Sequence, residues 1–397
     1  MKKLIIILYP FKFRQFDWQR FEIDELKKKN EVIVFEFISI LYPHFTKAYF
    51  IDKKIKSKIL NIKDLKSYKT KINELILKYR LKNILVLNFI KNDSLISLCI
   101  NYFIKKKSIK SIIFFNPGIS TYNHRVLNSN NTVTQKISIF LDRKNETIQK
   151  IKGKLINLLV NILNIYPNYI FVAGSKCKNN ILNYCKEKCI KIIEGHSWDY
   201  SQILNNKERM NYRPNYAVYL DAPGPKFSSD SLIYKDKHPE TINHFYPSLD
   251  NFLSHIEDKL KLKVVVAPHP KTKILNRSSL FYYRKVISGR THDLIKNSKI
   301  ILTRNSTAVC FAAYYNKPII LFYTDETFQS ISYRTSLELA KSLKVELINI
   351  NKLDQINFKK IFKINRKIYK KYLHNFCTSK KNKSPNFQII NNLMLKI

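Results

Sequence analysis

The sequence predicts an α/β protein made of two domains, each built on a parallel sheet, that face one another across a central cleft. At 397 residues the chain exceeds one typical domain and favours about two. Short apolar runs alternate with helix-period segments, the order expected of a parallel sheet. Runs such as Ile84-Leu85-Val86-Leu87 lack polar alternation, as do strands covered on both faces.

Taken in order, Lys3–Leu8 is expected as a strand, Asp17–Lys29 as a helix and Glu31–Phe37 as the next strand. Ile62–Tyr79 has helical periodicity, Lys82–Phe89 is a strand, Ser94–Ile104 a helix and Ser111–Phe115 a strand running into Asn116-Pro117-Gly118. Gln135–Ile162 reads as a long helix, Asn168–Val172 as a strand, Ser175–Cys189 as a helix and Ile190–Ile193 as a short strand. From Gly195 to Pro214 the chain turns polar, which sets a boundary between domains at 1–205 and 206–350. The second set has strands at Tyr216–Leu220, Lys263–Ala267, Ile300–Leu302 and Pro318–Phe322, with helices at Pro247–Leu260, Thr291–Lys296 and Thr307–Tyr315. The remainder, 351–397, is basic and helical. Two such sheets place a ligand crevice at the carboxyl ends of their strands.

Composition narrows the classes. Hydrophobic residues are 45% of the chain, enough for a large core. Met1-Lys2-Lys3 and the apolar Leu4–Leu8 have the outline of a secretory leader. The run is short, however, and Tyr9-Pro10-Phe11-Lys12 ends it without a cleavage site, so a first strand explains it better. Leu155–Val172 is broken by Asn157, Asn161, Asn164, Pro167 and Asn168 and falls short of a membrane span. A soluble, cytoplasmic protein is expected. The six cysteines show no CxxC pair and no partners at zinc spacing, so reduced thiols and no metal site are expected.

Lys plus Arg is 71 against 29 Asp plus Glu, a net charge of +42. AT-rich coding inflates Lys, Ile and Asn and suppresses Gly, but it does not thin the acids. The excess implies attraction to a polyanion: nucleic acid, an anionic membrane surface or an acidic glycan. Basic residues are spread along the chain, with runs at Lys105–Lys107 and Lys380–Lys383, which fits diffuse membrane or glycan contact better than one sequence-reading module.

Three loops of the second domain follow strands and open on the same side. In Leu220-Asp221-Ala222-Pro223-Gly224, a carboxylate directly after a buried strand is placed as a general base, or alternatively forms an Asx-turn before Pro223. In Ala267-Pro268-His269-Pro270-Lys271, flanking prolines fix the backbone around His269, as suits a donor to phosphate or carboxylate; a structural histidine in a turn is the other reading. In Leu302-Thr303-Arg304-Asn305-Ser306-Thr307, a strand turns into a helix through small polar donors, which suits an anion site or an ordinary helix cap. Gly289, in Ser288-Gly289-Arg290-Thr291, sits before a further short helix. No GxGxxG, Walker loop, HExxH or GxSxG occurs, so the usual dinucleotide redox enzymes, P-loop phosphotransferases, zincins and esterases lose ground.

Together, Asp221, His269-Pro270 and Ser306-Thr307, in this order and spacing, resemble the motifs of bacterial GT-B-fold glycosyltransferases that use CMP-activated nonulosonic acids, such as lipooligosaccharide sialyltransferases and polysialyltransferases. The likeness covers roughly Tyr216 to Thr324. It departs from the pattern after Asp221, where Ala-Pro-Gly replaces a second acid and Gly224 is displaced by one. The resemblance implies two Rossmann-like domains and metal-independent, inverting transfer from a CMP-sugar to a surface glycan or glycolipid acceptor, with no cofactor. It implies Asp221 as base, His269 as donor to the leaving phosphate, and Pro270, Lys271, Gly289, Thr303, Asn305, Ser306 and Thr307 around the nucleotide. The first domain would hold the acceptor, with Asn116, Gly118, His124 and Arg125 reaching the cleft. The basic surface, including the tail after Lys352, would keep the enzyme on the inner face of the cytoplasmic membrane.

Two alternatives stay open. One is a GT-B transferase using a UDP- or GDP-sugar, with Asp325 and Glu326 as candidates to contact the donor ribose. The other is a non-catalytic basic protein that binds nucleic acid, although no recognition motif accompanies the charge.

Overall fold

A computed structural model describes residues 2–43, 59–119, 151–205, 215–222, 224–225, 238–269 and 280–397. The first sheet contains β1 (Lys3–Tyr9), β2 (Asn30–Glu36), β3 (Ile59–Asn61), β4 (Ile84–Asn88), β5 (Lys110–Phe115), β6 (Tyr169–Ala173) and β7 (Lys191–Gly195), in the spatial order β3-β2-β1-β4-β5-β6-β7. The second contains β8 (Tyr216–Leu220), β9 (Lys263–Ala267), β10 (Lys285–Val286), β11 (Ile300–Thr303), β12 (Ile319–Tyr323) and β13 (Leu347–Asn349), ordered β10-β9-β8-β11-β12-β13. Every pairing within both sheets is parallel. In each sheet the order reverses beside its first strand, β1 or β8. The strand ends diverge there and leave a crevice.

The two-sided burial expected of the apolar runs is present. Leu4, Ile5, Ile6, Ile7 and Leu8 are all fully buried, and their alternate side chains enter separate cores on the two faces of the first sheet. The Ile242–Leu260 helix buries Phe245, Leu249, Phe252, Leu253 and Ile256, one helical stripe, against Val264 and Val266 of β9. Each such side chain contributes about 1.5–3 kcal/mol by leaving water. This helix begins five residues before Pro247, where the sequence suggested a start. Pro247 therefore stands inside the helix, beyond the first turn, and forgoes the hydrogen bond to the carbonyl four residues earlier, a local cost set against the burial of the apolar stripe.

Other boundaries differ for physical reasons. The helix expected over Asp17–Lys29 is two pieces, Gln15–Arg20 and Ile23–Lys27, broken at Glu22 by a left-handed φ of 53°. The polar stretch after Gly195 contains another helix, Trp198–Asn205, whose Trp198, Asp199 and Ser201 are buried. The edge strands β3 and β10 are too short to carry a pattern. Within Gln135–Ile162, residues 151–162 are helical and 135–150 lie outside the described residues.

The C-terminal segment is packed against the first domain. After Arg366–Tyr372 the chain recrosses to the first domain, and the Asn386–Lys396 helix packs against Ile23–Lys27. Asn386 is fully buried and exchanges hydrogen bonds with the His196 backbone, its Oδ1 accepting from N (3.1 Å) and its Nδ2 donating to O (2.9 Å). Asn30 Nδ2 donates to Asn391 Oδ1 at 2.6 Å. The π-helical turn Leu373–Cys377 lies against Gly174, where φ is +81° and an added Cβ would stand 2.3 Å from the Asn375 carbonyl oxygen. Only glycine permits that approach.

Candidate functional site

A cleft of about 1580 Å³ opens between the carboxyl ends of the two sheets. On the second-domain side it is lined by Asp221 after β8, Pro268 and His269 after β9, Ser288 to Asp293 after β10, and Ser306, Thr307 and Ala308 after β11. The three loops singled out in the sequence therefore meet at one place, because consecutive strands β9, β8 and β11 are neighbours.

Asp221 is nearly buried. Its Oδ1 accepts from the Tyr219 hydroxyl at 3.2 Å and its Oδ2 from the His269 amide at 3.4 Å, while its own amide donates to the Ala267 carbonyl at 3.0 Å. The side chain thus spans from the end of β8 to the His269 turn. Burial pushes its carboxyl up to about 6, and the Arg304 guanidinium, the His269 amide and the Tyr219 hydroxyl oppose that rise. Such a group is largely ionised at neutral pH yet poised to take a proton. His269 is half-buried and its neighbour Pro268 also lines the cleft. Pro270 and Lys271 lie outside the described residues.

The third loop divides. Ser306 and Thr307 line the cleft, and Ser306 Oγ accepts from the Ala308 amide at 3.2 Å. Thr303 is fully buried and donates to the Leu220 carbonyl at 3.3 Å, tying β11 to β8. Asn305 Nδ2 donates to Ser332 Oγ at 3.4 Å. Neither is among the cleft-lining residues, and both side chains are engaged by protein partners. The helix itself is Val309–Tyr314, preceded by Ala308, with Ser306 and Thr307 in the turn before it.

Arg304 also turns away from the cleft. Its Nη1 pairs with Glu240 Oε2 at 2.6 Å, its Nη2 donates to the Ala222 carbonyl at 3.3 Å, and its guanidinium lies 4.7 Å from the Phe245 ring centroid. Thr324 Oγ1 completes the group by donating to Glu240 Oε1 at 2.9 Å. This buried network joins the loops after β8, β11 and β12. The acid that claims Arg304 stands 64 residues earlier in the chain.

Gly289 lines the rim with φ +75° and open space around it. Beside it, His292 stacks on Phe311 at 4.5 Å and its Nε2 is 2.8 Å from the Tyr315 hydroxyl. Asp325 and Glu326 do not line the cleft. Glu326 accepts from Thr241 N (3.1 Å) and Oγ1 (2.9 Å), and Asp325 accepts from Asn349 Nδ2 at 2.7 Å.

The first-domain wall was not found from the sequence. It consists of Tyr9, Phe11, Phe21, Phe89, Phe114 and Trp198, with Arg14, Asp17, Arg20, Glu22, Lys91 and Asp199 among them. Phe89 stacks on Phe21 at 4.6 Å and on Phe114 at 4.8 Å, and Phe114 meets Trp198 at 5.0 Å. Asp17 pins the loop after β1 by accepting from the Tyr9 hydroxyl (2.9 Å) and the Arg14 amide (3.1 Å). The signal was present in Tyr9-Pro10-Phe11-Lys12-Phe13-Arg14, where aromatics and cations alternate directly after the first strand. Of the expected acceptor-side residues, Asn116 lines the cleft and donates to the His196 carbonyl at 3.2 Å. Gly118 does not line it; its carbonyl accepts from the Tyr372 hydroxyl at 3.0 Å, a structural role. His124 and Arg125 lie outside the described residues.

Charge in the cleft runs against the whole chain. Arg14, Arg20, Lys91 and Arg290 are outnumbered by Asp17, Glu22, Asp24, Glu25, Asp199, Asp221 and Asp293. Among the described residues, therefore, the net charge of +42 is not gathered in the cleft lining. Among the described residues no group of three or more His, Cys, Asp and Glu is placed to hold a metal, and no helix is long and apolar enough to cross a membrane.

No protein-family model and no curated protein sequence matches this chain. Solved structures share its fold. The UDP co-structure of S. aureus MnaA superposes with a TM-score of 0.51 at 13% identity, over 99% of this chain and 96% of that one. UDP-GlcNAc 2-epimerase from Neisseria meningitidis bound to UDP-GlcNAc gives 0.50 at 12% identity, over 99% and 100%. A putative UDP-N-acetylglucosamine 2-epimerase from Listeria monocytogenes gives 0.50 at 12%, over 98% and 95%. At these identities the likeness establishes architecture: two parallel-sheet α/β domains of the GT-B type.

Proposed function

We propose that the chain is a GT-B enzyme that binds a nucleotide-activated sugar in the central cleft and transfers the sugar to an acceptor held against the first domain. The convergence of Asp221, His269 and Ser306-Thr307 at the ends of three adjacent strands carries this reading. A nucleotide phosphate would accept from His269 and from the hydroxyls of Ser306 and Thr307, fixed donors that stabilise charge growing on the departing group. Asp221 would take the acceptor proton. The stacked Phe21, Phe89, Phe114 and Trp198 suit the apolar faces of sugar rings.

A uridine diphosphate sugar is the first donor to test, because structural neighbours of the same architecture are described with UDP or UDP-GlcNAc. A CMP-linked nonulosonic acid is the second. It is favoured by His269 and Ser306-Thr307 lining the cleft while Asp325 and Glu326, the acids proposed to meet the ribose of a UDP- or GDP-sugar, are engaged elsewhere.

A thermal-shift and calorimetric panel of UDP, GDP and CMP tests both. The expected result is selective binding of UDP or of CMP that His269→Ala weakens by about tenfold or more, while the unfolding midpoint of the ligand-free protein is kept. Equal binding by His269→Ala removes the phosphate assignment. Failure of all three nucleotides removes the function. Conversion of a bound UDP-sugar to its epimer without acceptor would replace transfer by epimerisation at the same site.

A further inference from the structure

The helix over residues 151–162 has two apolar faces. Ile156 and Val160 are buried against Leu98 and Ile165 in a small core of the first domain. On the other side Ile151, Leu155, Leu158 and Ile162 are exposed by 54%, 57%, 53% and 63%. At 100° per residue these four fall within one narrow stripe on the side away from Val160. Lys152 and Lys154 flank that stripe on its two edges, and residues 151–162 contain no acid.

The neighbouring Leu95–Lys106 helix, joined to it through Leu98, also carries exposed Leu95 (63%) and Ile96 (38%) and ends in Lys105 and Lys106. A lone exposed leucine is ordinary. A stripe of four, backed by a packed face and bordered by lysines, is not. Among the described residues no helix is long and apolar enough to cross a bilayer, and a one-sided apolar stripe suits lying along one.

We propose that this face docks the protein onto an anionic lipid surface, with the Ile151-Leu155-Leu158-Ile162 stripe entering the headgroup boundary and the lysines meeting the lipid phosphates. Charge complementarity selects the occupant. A basic rim around an apolar stripe fits a negatively charged membrane, where lysine stems lie along the apolar layer and the ammonium groups reach the phosphates. A second copy of the chain would set these lysines against each other. The proposal does not depend on the nucleotide reading of the cleft.

Flotation of the full chain with vesicles of phosphatidylcholine alone, or mixed with an equal amount of phosphatidylglycerol, tests it. Capture by the mixed vesicles is expected, with little by the neutral ones. Leu155→Ser with Leu158→Ser should cut capture about tenfold while circular dichroism and nucleotide binding stay as in the parent, because both side chains already face solvent. Lys152→Gln should weaken capture by about fivefold. Capture unchanged by the double serine variant would mean that bulk positive charge alone is responsible and would overturn the proposal. So would absence of capture together with self-association that the same variant abolishes.

Discussion

Replacing Arg304 by methionine while Glu240 remains should destabilise the second domain by about 3–5 kcal/mol. The side chains of Arg304 and Glu240 are 5% and 0% exposed, and their nitrogen and oxygen are 2.6 Å apart. At that distance and an effective dielectric near 20 their attraction is about 6 kcal/mol, offset by the cost of removing both ions from water. Methionine preserves much of the volume over the Phe245 ring but leaves the carboxylate to the Thr324 hydroxyl. Scanning calorimetry should show the second domain melting lower by on the order of 10 °C. Adding Glu240→Leu should recover most of the loss, because an apolar pair of similar volume is often as stable as a buried ion pair. If Arg304→Met melts with the parent, the carboxylate is not held as a buried ion. If the double variant is as unstable as the single one, the network acts through its contact with the Ala222 carbonyl, and charge pairing is not the cause.

Two further predictions concern buried carboxyls. Because burial raises Asp221 from 3.8 to about 6, its contribution to stability is present below the lower value and lost as pH rises through the upper. Melting of the parent relative to Asp221→Asn should therefore fall between about pH 4 and about pH 7, and transfer should rise over the acid limb near pH 6. Asp221→Asn should abolish transfer and keep nucleotide binding; loss of both would assign the residue to holding the His269 turn. Glu22 is raised to about 7 by burial, against the Ser201 hydroxyl and the Phe387 amide that both donate to it. By the same sign, attachment of the Asn386–Lys396 helix should loosen as pH rises through about 7. Hydrogen exchange of that helix, corrected for intrinsic rate, should show this, and Glu22→Gln should remove the pH dependence.

What could be read without a structure was whatever depends on neighbours in sequence. Tyr216–Leu220 and Lys263–Ala267 coincide with β8 and β9 because a continuous apolar run bounded by polar residues has few other solutions. The residues directly after those strands, Asp221 and His269, reached the cleft for the same reason. What failed depended on partners far along the chain. Thr303, Arg304 and Asn305 looked like ligand donors, but Leu220, Glu240 and Ser332 claimed them. The C-terminal segment shows only its charge and helical character in the sequence, yet Asn386 and Asn391 find buried partners in His196 and Asn30.

Sequence alone thus determined the α/β class, the parallel sheets and which strand ends could carry a site, since these follow from local periodicity and the two-sided burial of short apolar runs. Tertiary structure decided which polar groups at those ends remain available. A buried donor or acceptor must be satisfied. The partner that satisfies it is set by packing across the sheet, which no local pattern encodes. The aromatic wall of the first domain and the lysine-edged stripe on residues 151–162 emerged in the same way, as surfaces whose facing direction the fold alone fixed.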